Sequence, residues 1–228
     1  MQLKILQSVL SGFEDHIRVE KHLPHEHLWE ITANWRARWD IDAPDFCAMF
    51  DQCLYSNLSR KLWKSDRGDA KAMLLDLMRL DPEFARRQFR ELLNEDISLS
   101  KRISHFQFGC DILMEEYKRQ YRQSNLTDHL HSDMFYPMLY LFFARPELHC
   151  PYFHDSFMAF MQRIKAHPSY GAADPERFVK VIRTVNHYIT RNGQIQEKYE
   201  AWGTKRYTSL PRTPFIATDF YRWVAGLG

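Results

Sequence analysis

Residues Asp69–Leu93 read DAKAMLLDLMRLDPEFARRQFRELL. Met73, Leu74, Leu77 and Met78 recur at steps of three and four, as do Phe84, Phe89, Leu92 and Leu93. That spacing lays the apolar side chains of each segment along one helical face. Asp69 stands where a carboxylate can cap the first segment. Asp81-Pro82-Glu83 both stops that segment and opens the next, because the residue before a proline avoids the helical region while proline suits a first turn. Two short consecutive helices are expected, punctuated by capping aspartates.

The same grammar extends in both directions. Leu3, Leu6, Leu10, Phe13 and Ile17 predict a first helix running to about His22, and Leu28, Ile31 and Trp35 a second ending near Trp39. Asp42-Ala43-Pro44-Asp45 opens a third, with Phe46, Met49, Phe50, Cys53 and Leu54 as its stripe and Leu58 and Leu62 as its extension. Ser98 or Ser100 caps a long helix that buries Ile103, Phe106, Cys110, Leu113, Met114, Tyr117 and Tyr121. Ser132-Asp133 leads into a segment that is apolar all round as far as Phe143, the pattern of a central helix. Pro137 falls in its first turn or kinks it, and Pro146 ends it. Phe157, Phe160, Met161 and Ile164 line another helix. Asp174-Pro175-Glu176 starts the next, which Asn192-Gly193 ends or interrupts. Gly203–Pro214 reads as a loop, and Phe215–Val224 as a closing aromatic helix.

The expected fold is therefore all-α, a single compact bundle of about nine or ten helices over residues 1–228, with the loop near residue 170 as the best candidate subdivision. Composition agrees: of 228 residues, 45% are hydrophobic and 14% aromatic, enough to fill a core, whereas only 8 Gly are present for tight turns. The longest apolar run, Met134–Ala144, is too short to span a bilayer, and the first residues carry no export signal. A cytoplasmic chain without a membrane partner is expected, its four cysteines acting as core residues rather than disulfides.

Chemistry-bearing motifs are sparse. Gly203-Thr204-Lys205 lacks the upstream glycine and closing hydroxyl of a phosphate loop, and neither a nucleophile elbow nor a zinc helix occurs. These absences lean against an enzyme and imply no cofactor. Two constellations remain. His154-Asp155 is the dipeptide of HD-type phosphohydrolases, and with His129 and His131 it would make a metal-binding set. A chain of this composition produces roughly one His-Asp pair by chance. Those residues read first as interhelical surface histidines, with His154 and Asp155 at a helix start, and the metal set is the alternative.

The other constellation is charge. The chain carries a formal +2, yet from Arg177 onward nine Lys or Arg face three acids, a local net of +6. Within this region Lys198, Lys205, Arg206 and Arg212 alternate with Tyr199, Trp202, Tyr207 and Phe215. Cations neutralise phosphates and flat rings stack on bases, so Lys198, Trp202, Lys205, Arg206, Tyr207 and Arg212 are candidate nucleic-acid-binding residues. The alternative is a loop pinned to the bundle by its rings. A third reading is a docking module with an exposed apolar patch around Trp29, Trp35 and Trp39.

The order of segments also carries a resemblance. Met73-Leu74-Leu75-Asp76-Leu77, Leu80-Asp81-Pro82-Glu83-Phe84, Phe89-Arg90-Glu91-Leu92-Leu93 and Leu99-Ser100-Lys101-Arg102-Ile103 are followed by Phe106 and Met138–Phe143. Arg145-Pro146-Glu147, Tyr152 and Thr218-Asp219-Phe220-Tyr221-Arg222-Trp223-Val224 complete the series. Over roughly residues 46–224 this succession resembles the helical region ahead of the AAA+ module in McrB-like GTPases and related ATPases of modification-dependent restriction and antiphage systems. The family's nucleotide chemistry lies in a downstream module with a phosphate loop, which this chain lacks, so no catalytic residue carries over. The resemblance implies an accessory module acting beside or detached from a motor, in target recognition or assembly, and the expected partner is DNA or a protein such as an AAA+ motor or nuclease subunit.

Overall fold

A computed structural model describes residues 2–58, 61–122, 128–166, 174–206 and 213–227. Among them are eleven helices: α1 (Leu3–Val19), α2 (Glu26–Arg38), α3 (Phe46–Cys53), α4 (Ala70–Leu80), α5 (Pro82–Leu92), α6 (Leu99–Gln120), α7 (Phe135–Ala144), α8 (His154–Arg163), α9 (Pro175–Ile189), α10 (Gly193–Arg206) and α11 (Phe215–Ala225). The all-α expectation holds, with slightly more helices than the apolar stripes suggested. The described sheet is one two-residue hairpin, β1 (Lys64–Ser65) antiparallel to β2 (Gly68–Asp69), pairing Lys64 with Asp69 and Ser65 with Gly68. Gly68 has φ +137°, a backbone angle that side chains disfavour. The segment around residue 170, expected as a boundary, lies outside the described residues.

The aspartate caps operate as read, whereas Ser98, at the cap position of α6, makes no capping side-chain bond. Asp45, Asp69, Asp81 and Asp174 accept backbone hydrogen bonds from Ala48, Ala72, Phe84 and Arg177 at 2.8–3.0 Å. Each satisfies an amide that the first helical turn leaves without an intrahelical partner.

The chain divides into two compact units, Met1–Trp29 with Arg145–Gly228 (the terminal unit) and Glu30–Ala144 (the central unit). In the central unit, α7 is the buried helix that its composition announces: every side chain from Tyr136 to Phe143 is buried. Pro137 sits in its first turn. Asp133 accepts from the Phe135 amide at 2.8 Å, and Gln107 Nε2 donates to the carbonyls of Ser132 and Asp133, fixing the entry to the helix. The Tyr140 ring is the hub, with the rings of Trp35, Phe50, Trp63, Phe89 and Phe106 all 5.5–6.4 Å away. Two arginines are buried beside this core. Arg102 grips Glu95 with two hydrogen bonds and donates to the Leu92 carbonyl, and Arg86 donates to the carbonyls of Ile41 and Ala43. Both serve carbonyls that the local chain leaves over.

In the terminal unit, α11 packs against α1, α8 and α9. Phe220 meets Phe13 and Phe160 edge-on, and Tyr221 lies among Phe157, Phe160 and Phe178. The Tyr221 hydroxyl donates to the Pro151 carbonyl and accepts from the Phe153 amide, tying the segment before α8 to α11.

Four local expectations fail for identifiable reasons. α1 stops at Val19, short of His22, because the Glu20 carboxylate captures the amides of Lys21 and His22 in an extended turn, and those bonds hold its carboxyl below the usual range. α3 stops at Cys53, where Asn34 takes the Tyr55 carbonyl at 2.7 Å, and Leu58 is left 52% exposed. Tyr121 is likewise exposed, pairing with the half-buried Tyr117 at 4.7 Å rather than entering the core. The helix also runs on through Gly203–Arg206, expected as the start of a loop. Gly203 is buried inside the helix, where a Cβ would make only an ordinary 4.0 Å contact with the Trp29 ring, so this glycine does not end the helix.

Candidate nucleic-acid interface

α10 carries the first of the candidate binding residues. Lys198 is half-buried: its ammonium donates to the Arg18 carbonyl at 3.4 Å and lies 5.3 Å from the centre of the Trp202 ring. Trp202 is also half-buried, set edge-on to Tyr199 at 5.2 Å. Tyr199 is wholly buried, stacked on Trp29 and donating to Asp219 Oδ2 at 2.8 Å, while Phe215 is buried edge-on against the same tryptophan. Tyr199 and Phe215 are therefore core residues rather than stacking platforms. Lys205 and Arg206 occupy the last turn of α10. Tyr207 and Arg212 lie outside the described residues.

The residues of the metal-binding alternative are engaged individually. His131 is fully buried. Its Nδ1–H donates to the His129 carbonyl at 2.6 Å, leaving Nε2 to accept from the Tyr140 hydroxyl at 2.9 Å. His129 Nδ1 accepts from the His131 amide at 3.0 Å, so its Nε2–H points to Asp111 Oδ1, also at 3.0 Å. The lone pair that would hold a metal is thus occupied on both rings. Desolvation pushes His131 down to about 4 and keeps it neutral. His154 and Asp155 open α8 at the surface. His154 Nδ1 faces the Tyr152 hydroxyl at 2.7 Å, and the Asp155 carboxylate complements the positive end of the helix. Among the described residues no group of three or more His, Cys, Asp or Glu side chains is placed to hold a metal ion.

The tryptophans expected as an exposed patch are mostly interior. Trp29 is buried in the terminal unit. Trp35 is buried in the central unit and stacks on the half-buried Trp39 at 4.2 Å. Large rings at helical spacing here build core, as apolar residues at that spacing usually do.

A buried carboxylate centre went unread in the sequence. Asp219, on α11, accepts from Tyr199 and faces His25 Nδ1 at 2.5 Å. His25 has φ +49°, an uncommon backbone angle for a side-chain-bearing residue. His27, beside it, is pushed down to about 4 by burial and by the neighbouring His25 and Arg222. Arg222 covers the Phe153 ring at 4.1 Å. The residues come from separate segments, so no local spacing could have assembled them.

Some cations of the central unit have acidic partners, Arg67 with Asp128, Lys71 with Asp51, Arg79 with Asp76, Lys118 with Glu115 and Arg119 with Glu116, at 2.6–3.2 Å. In the terminal unit Arg18 pairs with Glu14 and Asp15, and Arg145 with Glu147. Arg177, Lys180, Arg183 and Arg191 form no ion pair among the described residues.

Compared with protein-family models, curated proteins and solved structures, the chain shows no match.

Proposed function

We propose that this chain is a non-catalytic helical accessory module that binds nucleic acid, serving a restriction- or defence-type AAA+ system as its resemblance to the McrB-like helical region implies. The observation that supports the reading is the uncompensated positive charge from Arg177 onward. A solvated protein surface ordinarily mixes the two signs, and a one-sign field favours an anionic partner. With Tyr199 and Phe215 buried, binding rests on cations meeting phosphates rather than on base stacking.

Charge reversal by Lys205→Glu with Arg206→Glu is expected to weaken binding to labelled DNA and to flatten its salt dependence. Unchanged affinity in the double variant, or no binding by the parent chain at low salt, removes the nucleic-acid reading.

A further inference from the structure

The geometry of α9 points to a particular contact surface, an inference that rests on the nucleic-acid reading. We infer that the solvent face of α9 is a phosphate-binding ridge for duplex DNA. At 3.6 residues per turn, Arg177, Lys180, Arg183 and His187 fall within about 120° of one another around the axis. Arg191 follows in the same arc, since Thr190 keeps helical backbone angles. Opposite them lie Phe178, Ile182, Val185 and Ile189, all buried. Lys180, Arg183, His187 and Arg191 are exposed and Arg177 is half-exposed.

A purely structural role does not account for this row. Arg177 sits in the first helical turn, where the helix dipole opposes a cation, whereas Lys118 and Arg119 of α6 sit in a last turn that welcomes them. Arg177 with Lys180, and Lys180 with Arg183, are like-charge neighbours at i,i+3 on one face, which repel one another. Glu176 is the sole acid of α9. The helix thus carries a repulsion that an anion would relieve.

The shape of the row selects the anion. From Arg177 to Arg191 it extends about 21 Å at 1.5 Å per residue, the length of about six phosphates along one strand of B-DNA. A protein partner would need an apolar centre to the interface, and the ridge has none, whereas interfaces with DNA are polar and strongly positive. Insertion into a membrane would need an apolar face, and that face of α9 is already buried in the terminal unit. The rings along the ridge are His187 and the half-buried Tyr188, set edge-on to each other at 5.7 Å, so the ridge offers no row of flat platforms for the bases of a single strand.

The test is anisotropy of a labelled random-sequence 24-base-pair duplex with the full chain across a salt series. The four cations of the ridge should contribute about −3.6 to the parent's log–log salt slope, about 0.9 each. Arg183→Gln with Arg191→Gln should reduce that slope by about two and weaken binding about tenfold at low salt. Lys118→Gln with Arg119→Gln, on ion-paired cations of α6, should leave both unchanged, and circular dichroism checks that each variant folds. Retained slope and affinity in the Arg183/Arg191 variant overturn the ridge, while loss on reversing Lys205 and Arg206 would still support the nucleic-acid reading. No duplex binding by the parent overturns both. Equal binding of single-stranded DNA, duplex RNA or poly-glutamate, lost in the same variant, overturns the assignment to duplex DNA.

Discussion

Tyr140 donates its hydroxyl hydrogen to His131 Nε2 across 2.9 Å, and both side chains are wholly buried in the central unit. The bond joins the middle of α7 to the loop before it and consumes the only lone pair that His131 has left. Tyr140→Phe should therefore strand a buried acceptor and cost about 1–3 kcal/mol. Urea melts of the parent and variant check this, and an unchanged midpoint at constant slope would show that the bond contributes nothing.

His131 also sets a pH dependence. Its folded value of about 4 lies below the ordinary 6.5 because burial disfavours the cation. Above pH 6.5 the ring is neutral in both folded and unfolded chains. Between 6.5 and 4 only the unfolded chain takes up the proton, so stability falls as the pH falls, by about 3 kcal/mol across the window. The imidazole resonances of His131 should show a neutral ring at pH 5, and a charged ring there would refute the assignment.

Asp219 should matter to the terminal unit as Tyr140 does to the central one. Asp219→Ala removes the acceptor of the Tyr199 hydroxyl and the partner of His25, leaving a buried donor unpaired. A loss of about 2–3 kcal/mol is expected on thermal or urea unfolding. Retention of parental stability would show that this centre does not hold the unit together.

Gly12 and Gly109 should respond oppositely to alanine. Both lie inside helices, where alanine is favoured by about 1 kcal/mol. At Gly109 the new Cβ falls within 2.7 Å of Oε1, Cδ and Cγ of the half-buried Gln88, a long side chain with other rotamers to adopt. At Gly12 it meets the rigid Trp223 ring at 3.0 Å. Gly109→Ala should raise Tm and Gly12→Ala should not, and equal shifts would contradict this reading of the contacts.

The thiols should be silent in the folded chain. All four cysteines are buried and free, and burial pushes Cys53 and Cys150 up to about 12. Thiolate is the reactive form, so a disulfide reagent at pH 8 should titrate little before urea is added and all four afterwards. Rapid reaction without denaturant would place at least one thiol at the surface.

The order of helices, their capping aspartates, the buried character of α7 and the surplus of basic residues after Arg177 were all legible in the amino-acid chain. They depend on neighbours three or four positions apart, and local geometry converts such spacing directly into faces and caps. Tertiary structure alone decided the rest. It placed Asp219 beside His25 and Tyr199, tied His131 to Tyr140, carried α10 through Gly203, and stopped α3 where Asn34 reaches the Tyr55 carbonyl. It also left the cations of α9 without the acidic partners that Arg67, Lys71 and Arg79 find. Each of these turns on which distant groups meet inside a desolvated core or fail to meet at its surface, and sequence spacing carries no record of that.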